Sequence, residues 1–152
     1  MSRRDQIKMT DVEVTQYLDG RHTMNVASFN HDGTIHLVAM WYAVIDGDVV
    51  FWTFGKSQKI LNLQRDPRVT CLVETGDDYD QLMGVEIVGR AAVITDHDAI
   101  MEIGEAVYER YFGEVTEEIR PHVHATGAKR FGVRITTERV VSWDHNKLAG
   151  AY

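Results

Sequence analysis

Short apolar runs separated by tight-turn residues are the feature that most limits what this chain can fold into. The runs at 22–29 and 35–45 flank Asn30-His31-Asp32-Gly33, and Asp46-Gly47 separates the second run from a third at 49–53. Asp-Gly between two apolar runs is a strong hairpin signal, because both residues tolerate a positive φ. The first part of the chain is therefore predicted to be a three-stranded antiparallel meander.

The rest of the chain continues the β pattern with a few helices. Further strands are predicted at 69–74, at 85–95 with Gly89 marking a bulge or close packing, and at 131–143 as one or two strands. Helices are predicted at 10–20, 57–65 and 98–112, and 114–127 is compatible with a short helix broken by Pro121. About six strands with sparse helices predict one mainly β (α+β) domain over residues 1–152, a small antiparallel barrel with packed helices.

Composition and charge exclude several classes of function. The chain has 152 residues and a net charge of −7, which argues against a general nucleic-acid binder. No apolar run approaches the roughly 20 residues of a membrane span, and the first ten residues lack the apolar core of a secretory signal. The single Cys71 cannot form an internal disulfide and is predicted to be buried, which fits a cytoplasmic protein.

A cationic segment stands out against this acidic background. Residues 56–68 contain Lys56, Lys59, Arg65 and Arg68 against the single acid Asp66. A helix start preceded by a strand and a glycine turn presents free backbone N–H groups that attract anions. Hydroxyl groups and lysines surround this start, which favours a bound phosphate; the alternative is a capped surface helix with solvated lysines. The residues that surround it are Thr53, Lys56, Ser57 and Lys59.

The apolar segment at 37–42 is a candidate for contact with a flat ring. Strand alternation places its even-numbered and odd-numbered residues on opposite faces. The two sets are Val38, Met40 and Tyr42, and Leu37, Ala39 and Trp41. If this strand pairs antiparallel with 49–53, its start would lie beside the cationic helix start at Ser57, where it could support a heteroaromatic ring. The alternative is ordinary barrel core.

Neither a metal site nor a hydrolytic triad is predicted. Of the seven histidines only His122 and His124 are close in sequence, and no HExxH motif or cysteine partner accompanies them. The acidic segment at 74–80 is typical of a solvated loop, and no Ser-His-Asp order or nucleophile elbow is present.

Taken in order, these motifs resemble the pyridoxamine 5'-phosphate oxidase-like split β-barrel superfamily. The resemblance covers residues 22–95, with the closing stretch RFGVRITTERVVSWD following the pattern less strictly. The motifs that carry it are Asp32-Gly33, HLVAMWY, the WT turn, Ser57-Gln58-Lys59, Asn62-Leu63, RDPR and VEIVGRA. The length, the SQK turn and the closing VVSWD are more similar to the branch that uses the deazaflavin coenzyme F420.

This resemblance implies a fold, a cofactor and an activity. The implied fold is a six-stranded antiparallel split β-barrel of the FMN-binding type, assembled as a homodimer with the cofactor groove at the interface. The implied enzyme is an oxidoreductase that transfers hydride from reduced F420 to a small unsaturated or carbonyl-type molecule. Carried over by position, Ser57, Gln58 and Lys59 would hold the cofactor phosphate with Lys56 and Asn62 nearby; Thr53 and Phe54 would border the ring from one strand, and Val38, Ala39 and Met40 from the other.

Two departures from the classical oxidase pattern bear on the cofactor. Gln58 stands where that pattern has an arginine, and residues 38–42 lack its pair of basic residues. Both disfavour pyridoxamine phosphate oxidation and tight FMN binding. The alternatives are an FMN-dependent oxidase or flavin reductase, and a flavin- or haem-binding protein without turnover. No catalytic acid is assigned: Tyr42, His36 or solvent could protonate the product.

Overall fold

The computed structural model describes residues 1–150, and within them the chain forms one antiparallel sheet of seven strands with five α-helices. The strands are β1 (Met24–Phe29), β2 (Ile35–Met40), β3 (Ala43–Ile45), β4 (Asp48–Phe54), β5 (Arg68–Thr75), β6 (Met83–Ile94) and β7 (Arg130–Asp144). The helices are α1 (Arg3–Ile7), α2 (Asp11–Asp19), α3 (Gln58–Arg65), α4 (His97–Phe112) and α5 (Arg120–Thr126). None of these helices is long and apolar enough to cross a lipid bilayer.

The predicted antiparallel β-rich fold with few helices is confirmed, but the six-stranded barrel is not, because within the described part of the chain the sheet has seven strands and is not closed. The strand order is β2-β1-β5-β6-β7-β4-β3, so among residues 1–150 the edge strands β2 and β3 have no hydrogen-bonded ladder between them. These two edge strands are nevertheless consecutive in the chain. Residues 41–42 alone carry the backbone from one edge of the sheet to the other, which curls the sheet around its core.

The two hairpins of the predicted meander are confirmed, but its continuous middle strand is wrong. The run at 35–45 is split by a corner: β2 pairs with β1, and β3 pairs with β4. Tyr42 fixes this corner, because it is fully buried and its hydroxyl donates to the carbonyl of Leu18 at 2.7 Å. The start of β2 therefore lies beside β1, not beside β4.

Two apolar layers lie on either side of the sheet. The first is enclosed by the curled sheet and includes Tyr42, Phe51 and Ile60. The second lies between the sheet and α4 and includes Val50 and Ile103. Successive residues of β4 are buried in different layers, which explains why its sequence is a continuous apolar run.

The helical predictions hold, and the ambiguous segment is resolved. Helix α4 buries the apolar stripe that its 3.6-residue period predicted. Within 114–127, residues 120–126 form α5, and Pro121 lies in its first turn, where the missing N–H costs nothing. Pro121 thus begins this helix instead of breaking it.

The closing segment is one strand, and Gly89 does mark a bulge. The register of β6 with β7 shifts between Val88 and Gly89, leaving Glu138 as the extra residue. A Cβ at Gly89 would lie 2.2 Å from the carbonyl oxygen of Thr136, so only glycine fits this approach.

Cys71 is buried as predicted. Desolvation raises the pKa of its thiol to about 12, so it is inert as a nucleophile at neutral pH.

Candidate functional site

The cationic turn, residues 54–59, connects β4 to α3 and is closed by the start of β7. The backbone N–H of Gly55 donates to the carbonyl of Lys129 at 2.9 Å, and Phe54 pairs directly with Arg130 in the β4–β7 ladder. Two further basic residues therefore join the turn from a segment more than seventy residues away. Sequence reasoning missed Lys129 and Arg130, because nothing local to 54–59 indicates which strand lies beside it.

Lys59 is a buried cation without a carboxylate partner. It is 9% exposed, and its Nζ donates to Oγ1 of Thr53 at 3.0 Å. Among residues 1–150, no carboxylate oxygen lies within 4.0 Å of this ammonium group. Burial lowers the pKa of Lys59, and the nearby Arg130 guanidinium lowers it further. Because a buried unpaired charge is costly, an anion beside Lys59 would stabilise this arrangement.

Ser57 stands at the predicted N-cap of α3 but does not form the capping hydrogen bond. Its backbone is extended, as expected for an N-cap, and the side chain makes no bond to the first turn of the helix. Its Oγ atom is buried and has no hydrogen-bond partner. Buried polar atoms almost always have partners, so this hydroxyl is available for a ligand.

Gln58 and Asn62 are engaged in bonds inside the protein. Gln58 is exposed, and its Nε2 donates to Oδ1 of Asn62 at 2.8 Å. Asn62 is fully buried and donates in turn to Oγ of Ser28 at 3.1 Å and to Oδ1 of Asn30 at 3.0 Å. Asn62 therefore fastens α3 to β1, a positioning contact that holds the cationic turn in place. Lys56, in contrast, is exposed at the turn.

The residues predicted to contact the cofactor ring do not all lie on one surface of the protein. Val38 and Met40 pack against the inner core, whereas Ala39 is exposed on the opposite face of β2. Ala39 and Met40 line the groove described below, but Val38 does not. Thr53 is buried under Lys59, and Phe54 is 50% exposed at the turn.

A groove of about 830 Å³, here called the aromatic groove, lies between the sheet and the helices α4 and α5. Its sheet side is formed by Thr23, Ala39, Met40, Trp41, Trp52 and Arg130, and its helical side by Gly104, Val107, Tyr108, Phe112, Ile119, His122, Val123 and Thr126. A volume of this order is typical of small-molecule sites.

Two tryptophans define the sheet side of the aromatic groove. The indole of Trp41 stacks on Tyr111 with ring centroids 4.4 Å apart, and Trp41 remains 43% exposed. Trp52 packs against two glycines: a Cβ at Gly104 would lie 2.3 Å from its ring, and one at Gly127 would lie 2.7 Å away. The glycines thus admit a large ring where any other residue would collide with it.

Arg130 connects the aromatic groove to the cationic turn. Its guanidinium carbon lies 5.0 Å from the centroid of the Trp52 ring, and its Nε donates to the carbonyl of Thr126 at 3.3 Å. It also lies close enough to Lys59 to lower the pKa of that amine. Arg130 therefore lines the groove and acts through its charge on Lys59 in the cationic turn.

Neither of the two side chains considered as proton donors, Tyr42 and His36, lines the aromatic groove. Tyr42 is buried away from the groove, and desolvation raises its pKa to about 12. His36 has a buried Nδ1 without a partner and is not among the groove residues. His122, which was weighed from the sequence only as a metal ligand beside His124, lines the groove. Among residues 1–150, no cluster of three or more potential metal ligands occurs.

The sequence matches the profile of a known protein family over most of its length. The family profile described as "Pyridoxamine 5'-phosphate oxidase" matches residues 10–144. No curated protein matches the sequence significantly.

Solved structures share the fold. The chain is 44% identical to a conserved hypothetical protein from Mycobacterium tuberculosis, with a TM-score of 0.93 over 98% of this chain and 93% of that one. A 5-nitroimidazole antibiotic resistance protein from Bacteroides thetaiotaomicron is 12% identical, with a TM-score of 0.74 over 90% of this chain and 84% of that one. A structure described as an F420 reductase is 23% identical, with a TM-score of 0.63 over 82% of this chain and 93% of that one.

Proposed function

The chain belongs to the pyridoxamine 5'-phosphate oxidase family, and from this premise we propose that it is an oxidoreductase that uses reduced coenzyme F420 to reduce a small unsaturated or carbonyl-type molecule. The observation that carries the proposal is the buried, unpaired ammonium group of Lys59 beside the orphaned hydroxyl of Ser57. Together they provide a charge and a hydrogen-bond donor for a phosphate group at the start of α3.

The surrounding lysines favour the deazaflavin over FMN. Beyond its phosphate, F420 continues into a tail that carries several carboxylates, whereas FMN ends at the phosphate. Lys56 and Lys129 are exposed on either side of the turn, where they would meet this additional negative charge. The fold that the chain shares with the F420 reductase is in keeping with this assignment.

The protein's contribution would be anchoring, orientation and exclusion of water. The chemistry that F420 supplies when bound is two-electron hydride transfer. Lys59 and Ser57 would hold the phosphate, while Ala39, Met40 and Phe54 would offer apolar contact to the ring. The aromatic groove would shield the reacting substrate from bulk water.

The same phosphate site also fits FMN, which makes an FMN-dependent oxidase or flavin reductase the second candidate. Lys59 and Ser57 do not by themselves distinguish a phosphate that ends the cofactor, as in FMN, from one that continues into a tail, as in F420. The uncharged β2 offers no cation to the rest of a flavin, which is why F420 is preferred.

A homodimer is part of the proposal. Ile35 and Leu37 are 65% and 67% exposed on the outer face of β2. Leu37 pairs with Ala27 on β1. The same row of paired residues continues across the sheet through Thr70 on β5 to Val88 on β6. This mostly apolar row would be buried by a second copy of the chain, because such a patch is costly to expose to water.

Side-by-side titration with F420 and FMN, followed by tryptophan fluorescence, tests the cofactor. We expect preferential F420 binding in the micromolar range or tighter. Lys59→Ala and Lys59→Met should each weaken it about tenfold or more, because a charge-assisted bond is worth roughly 1.5–3 kcal/mol.

Lys8→Ala is the matched control for charge. Lys8 is exposed, and its neighbour Met9 donates its backbone N–H to Oγ of Ser142. Ser142 lies near the C-terminal end of β7, whereas Arg130 begins that strand, so Lys8 is remote from the cationic turn. Its removal should leave the dissociation constant unchanged. An unchanged dissociation constant in both folded Lys59 variants would remove the site assignment, and preferential FMN binding would replace the deazaflavin with a flavin.

A further inference from the structure

The aromatic groove extends well beyond the residues assigned to the cofactor. Of the predicted cofactor residues, Ala39 and Met40 lie in its lining, and the remaining surface comes from other segments. Its volume of about 830 Å³ lies near the upper end of the usual range for small-molecule sites, roughly 300–1,000 Å³. The groove therefore has room for a ligand of its own.

Two helical faces are built to form the groove. Residues 104, 107, 108 and 112 of α4 share one face, and so do residues 119, 122, 123 and 126 around α5. This i, i+3, i+4 spacing turns two adjacent helices toward one space. Tyr108 and Phe112 are in mutual ring contact there, with centroids 5.0 Å apart.

The aromatic surface suits a planar ligand. Tyr111 covers one face of the Trp41 indole, at an interplanar angle of 8°, while Trp41 keeps 43% of its surface exposed at the groove. A flat conjugated ring gains both burial and stacking against such a surface. An aliphatic ligand of the same size would gain the burial without the stacking.

One polar group at the groove is a cation without an anionic partner. Among residues 1–150, no carboxylate oxygen lies within 4.0 Å of the Arg130 guanidinium. Its Nε bonds the carbonyl of Thr126, which leaves the two terminal nitrogens of the guanidinium for a ligand. A guanidinium with two free nitrogens matches a carboxylate in a bidentate pair.

We infer that the aromatic groove binds the substrate of the proposed oxidoreductase, and that this substrate is a planar conjugated molecule whose carboxylate pairs with Arg130. The inference rests on the proposed function only in naming the ligand as the substrate. Recognition of a planar anion by this groove follows from the groove's own residues, with or without a cofactor at the turn.

The test uses two probes of the same shape and different charge. We would titrate the full chain, without cofactor, with 2-naphthoate and with neutral 2-naphthamide, and follow tryptophan fluorescence and heat of binding. The expected result is quenching by both, with naphthoate bound about tenfold more tightly. Arg130→Gln should abolish this preference, and Arg130→Lys should retain part of it.

A second pair of variants tests the location independently of Arg130. Thr126 and Ala125 are adjacent and exposed on α5, but Thr126 lines the groove and Ala125 does not. Thr126→Trp should weaken both probes by filling the groove, and Ala125→Trp should leave both unchanged. Thermal melting would confirm that each variant is folded.

Each outcome decides a different part of the inference. Equal affinity for the two probes in the wild-type protein would overturn the carboxylate assignment, and binding of neither would overturn the site. Loss of naphthoate binding at saturating F420 would show that the groove accepts the cofactor ring, which overturns its assignment to substrate. If F420 does not bind while naphthoate binds as expected, the proposed function fails and the anion site stands.

Discussion

At the scale of single residues, the position of Trp52 depends on a glycine in the middle of a helix. Gly104 lies in α4, where alanine would normally be favoured by about 1 kcal/mol. A Cβ at this position would lie 2.3 Å from the Trp52 ring, so the helix must keep its glycine to pack against the sheet. Packing therefore outweighs helix propensity at this position.

Gly104→Ala should consequently destabilise the protein by about 1–3 kcal/mol, the usual cost of overpacking. In a Trp52→Phe background the smaller ring should relieve the collision, and the same substitution should become neutral or stabilising. Urea unfolding of the four proteins gives the coupling between the two positions. A Gly104→Ala variant more stable than the wild type would contradict the packing described here.

Residue type alone did not show which polar groups in and after the cationic turn already have hydrogen-bond partners inside the protein. Ser57 and Lys59 have the unsatisfied hydroxyl and the unpaired charge expected of a binding site. Asn62, three residues after Lys59, is fully buried and bonded to Ser28 and Asn30. The difference lies in which atoms already have partners, and that depends on neighbours distant in sequence.

At the scale of elements, α5 is attached to α4 by a shared carboxylate. Nη1 of Arg120 and Nε2 of His124 lie 2.5 Å and 2.7 Å from the same Oε1 of Glu105. Burial alone would raise the pKa of Glu105, but the hydrogen bonds from Arg120 and His124 outweigh it and lower the pKa below its usual 4.5. This clamp holds one side of the aromatic groove in place.

The clamp predicts a pH dependence of stability. Because the pKa of Glu105 is lower in the folded than in the unfolded protein, its contribution is complete above about pH 4.5 and is lost as the pH falls through the folded value. Glu105→Gln should therefore reduce the free energy of unfolding modestly at pH 7. The difference from the wild type should shrink as the pH falls below 4.5.

Glu117→Gln is the control for this clamp, since Glu117 is 91% exposed and lies 3.5 Å from Arg120. Exposed pairs of this kind contribute little, so this variant should match the wild type at every pH. Chemical denaturation between pH 3 and pH 7 measures both. A Glu105→Gln variant as stable as the wild type at pH 7 would show that α5 is held by apolar packing alone.

At the scale of the whole molecule, the outer face of the sheet carries large exposed apolar side chains on β2, where Ile35 and Leu37 are 65% and 67% exposed. Next to Ile35 lies a second cavity of about 450 Å³, whose lining includes Ala27, Phe29 and Val88. A second subunit seated on β2, β1, β5 and β6 would cover both the cavity and the exposed side chains. This face is the reason to expect a homodimer.

Leu37→Lys should convert the protein to a monomer, because it places a charge among the exposed apolar side chains of that face. Val12→Lys is the matched control: Val12 is 65% exposed, but it lies on α2. Sedimentation equilibrium of the wild type and the two variants measures the change. A wild-type monomer, or a Leu37→Lys dimer as tight as the wild type, would reject this interface.

Local sequence accounts for those parts of the structure that depend only on neighbouring residues. Thr10 begins α2 through the capping box with Glu13, and the apolar stripe of 98–112 became the buried face of α4. Asp46 and Gly47 have the positive φ angles that an Asp-Gly hairpin turn requires. Caps, turns and periodicity act over a few residues, so their outcome is contained in the local sequence.

Which of these parts come into contact depends on the folded chain as a whole. The corner at Trp41-Tyr42 gave β2 and β4 different partners, and the β4–β7 pairing brought Arg130 to the cationic turn. Gly104 and Trp52 meet although fifty-two residues separate them along the chain. Strand order and helix placement follow from the shared burial of distant surfaces, and no local pattern encodes that. The strand, glycine turn and helix start of the cationic turn were therefore predictable from sequence, whereas the aromatic groove appeared only in the folded chain.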